Sequence, residues 1–188
     1  MRRRAAALLI AVLTTGALVA GLASSADASV GAKSKAKLAY CAGGTKSKAV
    51  KAIKDAYSHF LNGKLYPTAT DKEPFIQYLS GKHTSPTMIS NFEASSAKNA
   101  AASATTDVQV NTVKCTGKKK ADVAYDLVLS GTPSPGLAPP GTAVLDGKVW
   151  KVSAEALCNL QALGDPSTLE PPNPCADVVA GTKPSDLT

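Results

Sequence analysis

The sequence predicts an α+β protein in which three helices precede a four-stranded antiparallel sheet. Three observations predict it. Residues 49–61 carry apolar side chains at helical spacing, residues 121–129 alternate at a period of two, and Asp146-Gly147 separates two short apolar runs as a hairpin turn would.

The first 28 residues read as a targeting leader. Arg2-Arg3-Arg4 is a basic start, residues 5–22 are apolar, and Ala26-Asp27-Ala28 is a small-residue cleavage site before Ser29. Thr14, Thr15 and Gly16 interrupt the apolar run, which falls short of the roughly 20 residues a membrane span needs. Residues 29–41 are rich in lysine, alanine and glycine with almost nothing to bury, and read as a flexible tether. Residues 42–164 form the expected domain, and residues 165–188 a proline-rich tail.

In the domain, Thr45 is a suitable N-cap for the first helix. Ala49, Val50, Ile53, Ala56, Tyr57, Phe60 and Leu61 form its buried stripe, and Asn62-Gly63 ends it. The stripe is wide enough to be the core around which a sheet curls. Thr70 and Glu73 have capping-box spacing for a short second helix containing Phe75, Ile76 and Leu79 and ending at Gly81. A third helix starts near Pro86, with Met88, Ile89 and Phe92 on its buried side.

The first strand spans residues 107–115, with Val108, Val110 and Thr112 on one face, and residues 117–120 supply its lysine-rich turn. The second runs from Ala121 to Leu129 with Val123, Tyr125, Leu127 and Leu129 inward. Prolines and glycines make residues 130–140 an exposed loop. Residues 141–145 and 149–152 pair across Asp146-Gly147, and a cysteine-bearing segment, residues 154–163, closes the sheet.

Cys41, Cys115, Cys158 and Cys175 suit two disulfides in an exported protein. Three pairings exist. Cys158–Cys175 is preferred because its short loop would pin the tail to the last core segment, which leaves Cys41–Cys115. Zinc is disfavoured, because no Cys-x-x-Cys pair occurs and neither His59 nor His83 has ligand spacing to a cysteine.

The formal net charge is +7. The leader holds all three arginines and Asp27, so the cleaved chain carries 18 lysines against 13 acids, a charge of +5. Lysine alone lacks the bidentate fork that reads phosphates or guanine edges, so nucleic acid is not an expected partner. Diffuse attraction to anionic polymers or lipids of the cell envelope is expected instead.

Residues 49–61, the run from Asp122 to Gly131, the Val149-Trp-Lys-Val-Ser153 sequence leading to Cys158, and Asn173-Pro-Cys175 together resemble the low-molecular-weight secreted antigen family of mycobacteria and other actinomycetes. The similarity covers roughly residues 42–176. It implies a fold like nuclear transport factor two, in which a curved antiparallel sheet wraps a long helix into a cone. It also implies export and a paired cysteine near the C-terminus, and offers no catalytic residues to carry over. A face-to-face dimer is an assembly the fold analogy allows.

Enzymes of the cone fold use an aspartate base in an apolar pocket beside tyrosine donors. Tyr57, His59, Asp122, Tyr125 and Asp126 are the residues here that would do such work as an isomerase or hydratase. Asp126 alternates away from the Tyr125 face, and His59 sits at the flank of the helix stripe, so neither is expected to be catalytic. No nucleophile elbow or glycine-rich phosphate loop occurs. The expectation is a non-enzymatic exported binding module, without cofactor or metal. Its ligand is a small apolar molecule in a pocket lined by Tyr57, Phe60, Tyr125 and Trp150.

Overall fold

The computed structural model describes residues 40–41 and 47–181. The leader, most of the tether and Thr45 lie outside the described residues. Helix α1 (Lys48–Leu61) starts at Ser47, whose hydroxyl accepts from the Val50 amide at 3.2 Å. Ser47 therefore takes the capping role expected of Thr45. The helix buries the seven predicted residues, and the Asn62 amide closes on the Ser58 carbonyl. Gly63 lies against the backbone of Ser103, where a methyl group would overlap the carbonyl oxygen.

The second helix is corrected. The capping box sits two residues upstream of Thr70 and Glu73. Thr68 accepts from the Asp71 amide, and the Asp71 carboxylate accepts from the Thr68 amide. Helix α2 (Ala69–Lys72) is a single turn followed by a 3-10 turn (Glu73–Phe75). Pro74 has no N–H to extend it. Ile76 is instead extended and bridges Val152, and the Gln77 amide donates to the Val152 carbonyl at 2.9 Å. Ile76 and Leu79 are buried as expected, but on a strap rather than on a helix. Helix α3 (Pro86–Lys98), capped by Ser85, buries Met88 and Phe92, and the one-turn α4 (Ala100–Ser103) follows.

Five strands form the sheet, one more than predicted. They are β1 (Thr106–Gly117), β2 (Lys120–Leu129), β3 (Thr132–Ser134), β4 (Gly141–Asp146) and β5 (Val149–Val152). The order is β1-β2-β4-β5, with β3 also on β2. Every pairing is antiparallel. The extra strand corrects the reading of residues 130–140 as loop throughout. Ser130 and Gly131 both take positive φ, 50° and 85°, as a two-residue type I′ hairpin requires, and Thr132 returns opposite Leu129. Pro133 is tolerated because β3 is a short edge strand.

Two further details differ from the sequence reading. In β1 the register shifts between Val110 and Thr112, so Val113 and Cys115 turn toward the core and Thr112 is exposed. One bulged residue exchanges the faces of everything after it. In the last hairpin Asp146 is paired with Val149, so the loop is Gly147-Lys148, with Gly147 at φ 61°.

Helix α1 packs against both β1 and β5, at opposite ends of the sheet order. A flat sheet would hold strands three ranks apart at about 14 Å, whereas a helix with its side chains is about 10–12 Å across. The sheet therefore wraps the helix. Lys54 Nζ donates to the Val110 carbonyl of β1 at 3.3 Å, and the Tyr57 hydroxyl donates to the Thr142 carbonyl of β4 at 3.0 Å.

Residues 154–164 form helix α5 (Ala154–Gly164), capped by Ser153. The proline-rich tail carries helix α6 (Pro174–Val179), capped by Asn173, which packs on α3 and α5. Disulfides join Cys41 to Cys115 and Cys158 to Cys175, with Cα separations of 5.6 and 5.3 Å.

Lys151 ties the strap to the last hairpin. It is 4% exposed, and its ammonium donates to the Ser80 carbonyl at 2.6 Å, the Ser80 hydroxyl at 3.1 Å and Asp146 at 2.8 Å. Three donors meet three acceptors, so the buried charge is fully satisfied.

Candidate functional site

The aromatic residues expected to line a pocket divide into two groups. Tyr57, Tyr125 and Trp150 are 0%, 6% and 2% exposed and fill the concavity themselves. The Tyr57 and Tyr125 rings lie 5.1 Å apart at 54°. Burial, and next the neighbouring Tyr125, push the Tyr57 phenol well above its ordinary value of 10, and burial pushes Tyr125 up to about 12. Neither releases a proton near neutrality. Behind Tyr57 the hydroxyls of Thr142 and Ser153 pair with each other. Phe60 belongs to the second group, beside open space.

The titratable candidates do not converge. Asp122 is exposed, and Asp126 accepts from the Asn111 amide group at 2.9 Å, both on the face of β2 opposite Tyr125. His59 is stacked between Tyr66 and Phe75, with centroids at 3.9 and 3.7 Å. Its Nδ1 lies 2.8 Å from the Asp55 carbonyl, which can only accept, so that nitrogen carries a proton. His83 is exposed on the loop before α3.

The open space is a cavity of about 620 Å³ between the end of α1, helices α3 and α5, and β2. Phe60, Phe92, Leu127, Leu157 and Leu160 give it apolar walls. Such a volume is in the usual range for small-molecule sites. Three charged side chains also line it. Lys98 and Asp165 pair at 3.7 Å, with side chains 74% and 46% exposed. Lys72 is 7% exposed and donates to the Ser103 hydroxyl at 3.0 Å. Burial lowers the Lys72 pKa from its ordinary 10.5, against a smaller opposing pull from Asp71.

Sequence reasoning found Phe60 and missed Lys72 and the leucines of α5. The leucines had a signal, since Leu157, Leu160 and Leu163 recur every three residues after the capping serine. Lys72 had none, because a lysine in Asp71-Lys72-Glu73 looks like any solvated turn. Among the described residues, no group of three or more His, Cys, Asp or Glu side chains could hold a metal ion. No helix among them is long and apolar enough to cross a membrane.

Residues 46–168 match the family model described as low molecular weight antigen MTB12, C-terminal domain. No curated protein and no solved structure matches the chain.

Proposed function

The chain belongs to the low molecular weight antigen MTB12 family through residues 46–168, and from that premise we propose that it is an exported, non-enzymatic binding protein whose cavity takes up a small apolar ligand. The family and the two disulfides fit an extracellular, antigen-like protein. The observation that carries the binding role is the cavity of about 620 Å³, walled by phenylalanine and leucine. Apolar walls exclude water, and a ligand entering them gains the burial that its own surface and theirs lack. An isomerase- or hydratase-like enzyme would need a carboxylate base within the cone, and Asp122 and Asp126 lie on the other face of β2 from Tyr125. The lysine-only charge of the cleaved chain supports retention on anionic envelope polymers, which elution from cell walls by salt would reveal.

Uptake is tested with the uncharged fluorophore N-phenyl-1-naphthylamine. Saturable one-to-one binding is expected, lost in Leu160→Trp, where the larger ring fills the cavity from a half-buried position. Absence of saturable binding, or binding unaffected by that substitution, would reject the role.

A further inference from the structure

Two lysines of this domain are buried to a similar degree, and they differ in one respect. Lys151, 4% exposed, has three acceptors including the Asp146 carboxylate. Lys72, 7% exposed, has the Ser103 hydroxyl and no ion-pair partner among the described residues. An ammonium offers three N–H donors and holds a full charge, and a buried charge without a counter-ion is costly.

Two of the carboxylates near it in the chain or in the cavity wall are engaged elsewhere. Asp71 accepts from both the amide and the hydroxyl of Thr68, the latter at 2.6 Å. Asp165 pairs with Lys98 and caps Ser167. Glu73, next in the chain, has a buried Oε1 without a hydrogen-bond partner and forms no ion pair with Lys72 among the described residues. Lys72 is thus the buried cation in the cavity wall that has no ion-pair partner among the described residues, and the remainder of that wall is chiefly apolar.

Building on the reading of the cavity as an apolar-ligand site, we infer that its ligand is an acyl chain with an anionic head, the head's carboxylate or phosphate oxygens on Lys72 Nζ and the chain against Phe60, Phe92, Leu127 and Leu157. The head enters first. Lys72 is buried, whereas Leu137 and Leu163, which also line the cavity, are 46% and 51% exposed and mark the side open to water. An anion on Lys72 would complete its donors in a low-dielectric setting, where a charge-assisted hydrogen bond is strong.

The oxidised full chain is titrated with palmitate, hexadecyl phosphate and hexadecanol, each displacing N-phenyl-1-naphthylamine. At least one of the two anions should bind about ten- to a hundredfold more tightly than the alcohol, the range of a hydrogen bond to a charged group. Palmitate ahead identifies a fatty-acid head, and the phosphate ahead a phospholipid-type head. Lys72→Met should weaken the anions far more than hexadecanol and bring the three affinities together. Because it removes a buried charge that has no ion-pair partner, its urea midpoint should not fall; if the variant does not fold, the wild-type comparison decides alone. Equal affinity of hexadecanol and both anions, or anion affinity unchanged in Lys72→Met, overturns the head-group inference while leaving apolar uptake intact. Failure of all three to displace the probe overturns the inference, and failure of the probe itself to bind rejects the apolar-site reading.

Discussion

Gly141 opens β4 against the ring of Tyr57 on α1, and it offers a direct test of their contact. A methyl group on its Cα would run into the Tyr57 hydroxyl, and would stand 2.8 Å from Cε1 of Tyr125 and 3.0 Å from Cζ of Tyr57. Carbon atoms prefer about 3.5–4.0 Å, so both rings would have to move. Tyr57 is 0% exposed and Tyr125 6%, which leaves them little room to do so. Gly141→Ala should therefore cost about 1–3 kcal/mol by overpacking, less about 0.4–1 kcal/mol recovered from the stiffer unfolded chain. Tyr57→Phe alone should cost about 0.5–1.5 kcal/mol. The Thr142 carbonyl is not orphaned by it, since the Ser153 amide still donates at 3.0 Å. In the double variant the missing oxygen also removes the nearest obstruction. The two losses should then fall short of their sum by about 1–2 kcal/mol, measured by urea unfolding of the oxidised proteins with m-values compared. Additivity within about 0.5 kcal/mol would refute the placement of α1 inside the curl of the sheet.

The two disulfides should differ in worth with the chain they enclose. Sequence separations of 74 and 17 give about 4.4 kcal/mol for Cys41–Cys115 and about 3.1 kcal/mol for Cys158–Cys175 from loop entropy, read as the loss in each double alanine variant by urea unfolding. The reverse order would mean that the entropic account fails here. Lys151→Met should cost about 3 kcal/mol because it strands Asp146, whose side chain is only 15% exposed, and adding Asp146→Asn should recover part of that loss; no recovery in the double variant would contradict the pairing. Hydrogen bonds from the Thr68 hydroxyl and then its amide hold the Asp71 carboxyl below its ordinary 3.8. A depressed folded value means stability that is complete above 3.8 and is lost as the pH falls through the folded value. The stability gap between wild type and Asp71→Asn should accordingly shrink on acidification from about pH 5 to about pH 2, and a gap constant over that window would remove Asp71 from the capping box.

The elements legible in the sequence are those whose periodicity is uninterrupted. The stripe from Ala49 to Leu61 and the alternation from Ala121 through Leu127 each satisfy one core face, and nothing local competes with them. The departures have local causes. Thr68 with Asp71 and Thr70 with Glu73 present the same three-residue spacing, and Pro74, one residue after Glu73, deprives the downstream frame of its helix. The bulge near Asn111 cannot be seen in a strand that still alternates, yet it decides that Cys115 rather than Thr112 turns inward. Ser130-Gly131 is a strong type I′ pair hidden by the prolines that follow it.

The cavity was harder to foresee, because the aromatic residues that suggested it are the ones that abolish it over most of the cone. Tyr57, Tyr125 and Trp150 are buried in the core, and Gly141 leaves the space that the rings of Tyr57 and Tyr125 take up. The cavity lies past Phe60, where α1 stops at Asn62. There Gly63 lets the backbone of Ser103 approach, and Ser103 in turn meets Lys72. In the β1–β2 hairpin, Thr106 and Leu127 lie toward this open end, whereas Cys115, opposite Ala121, lies toward the other. Cys41–Cys115 thus ties the chain entering α1 to the filled end of the sheet. Cys158–Cys175 fixes α6 to α5, the helix whose Leu157 and Leu160 wall the cavity. The division assigns the first disulfide to the packed core and the second to the shape of the site.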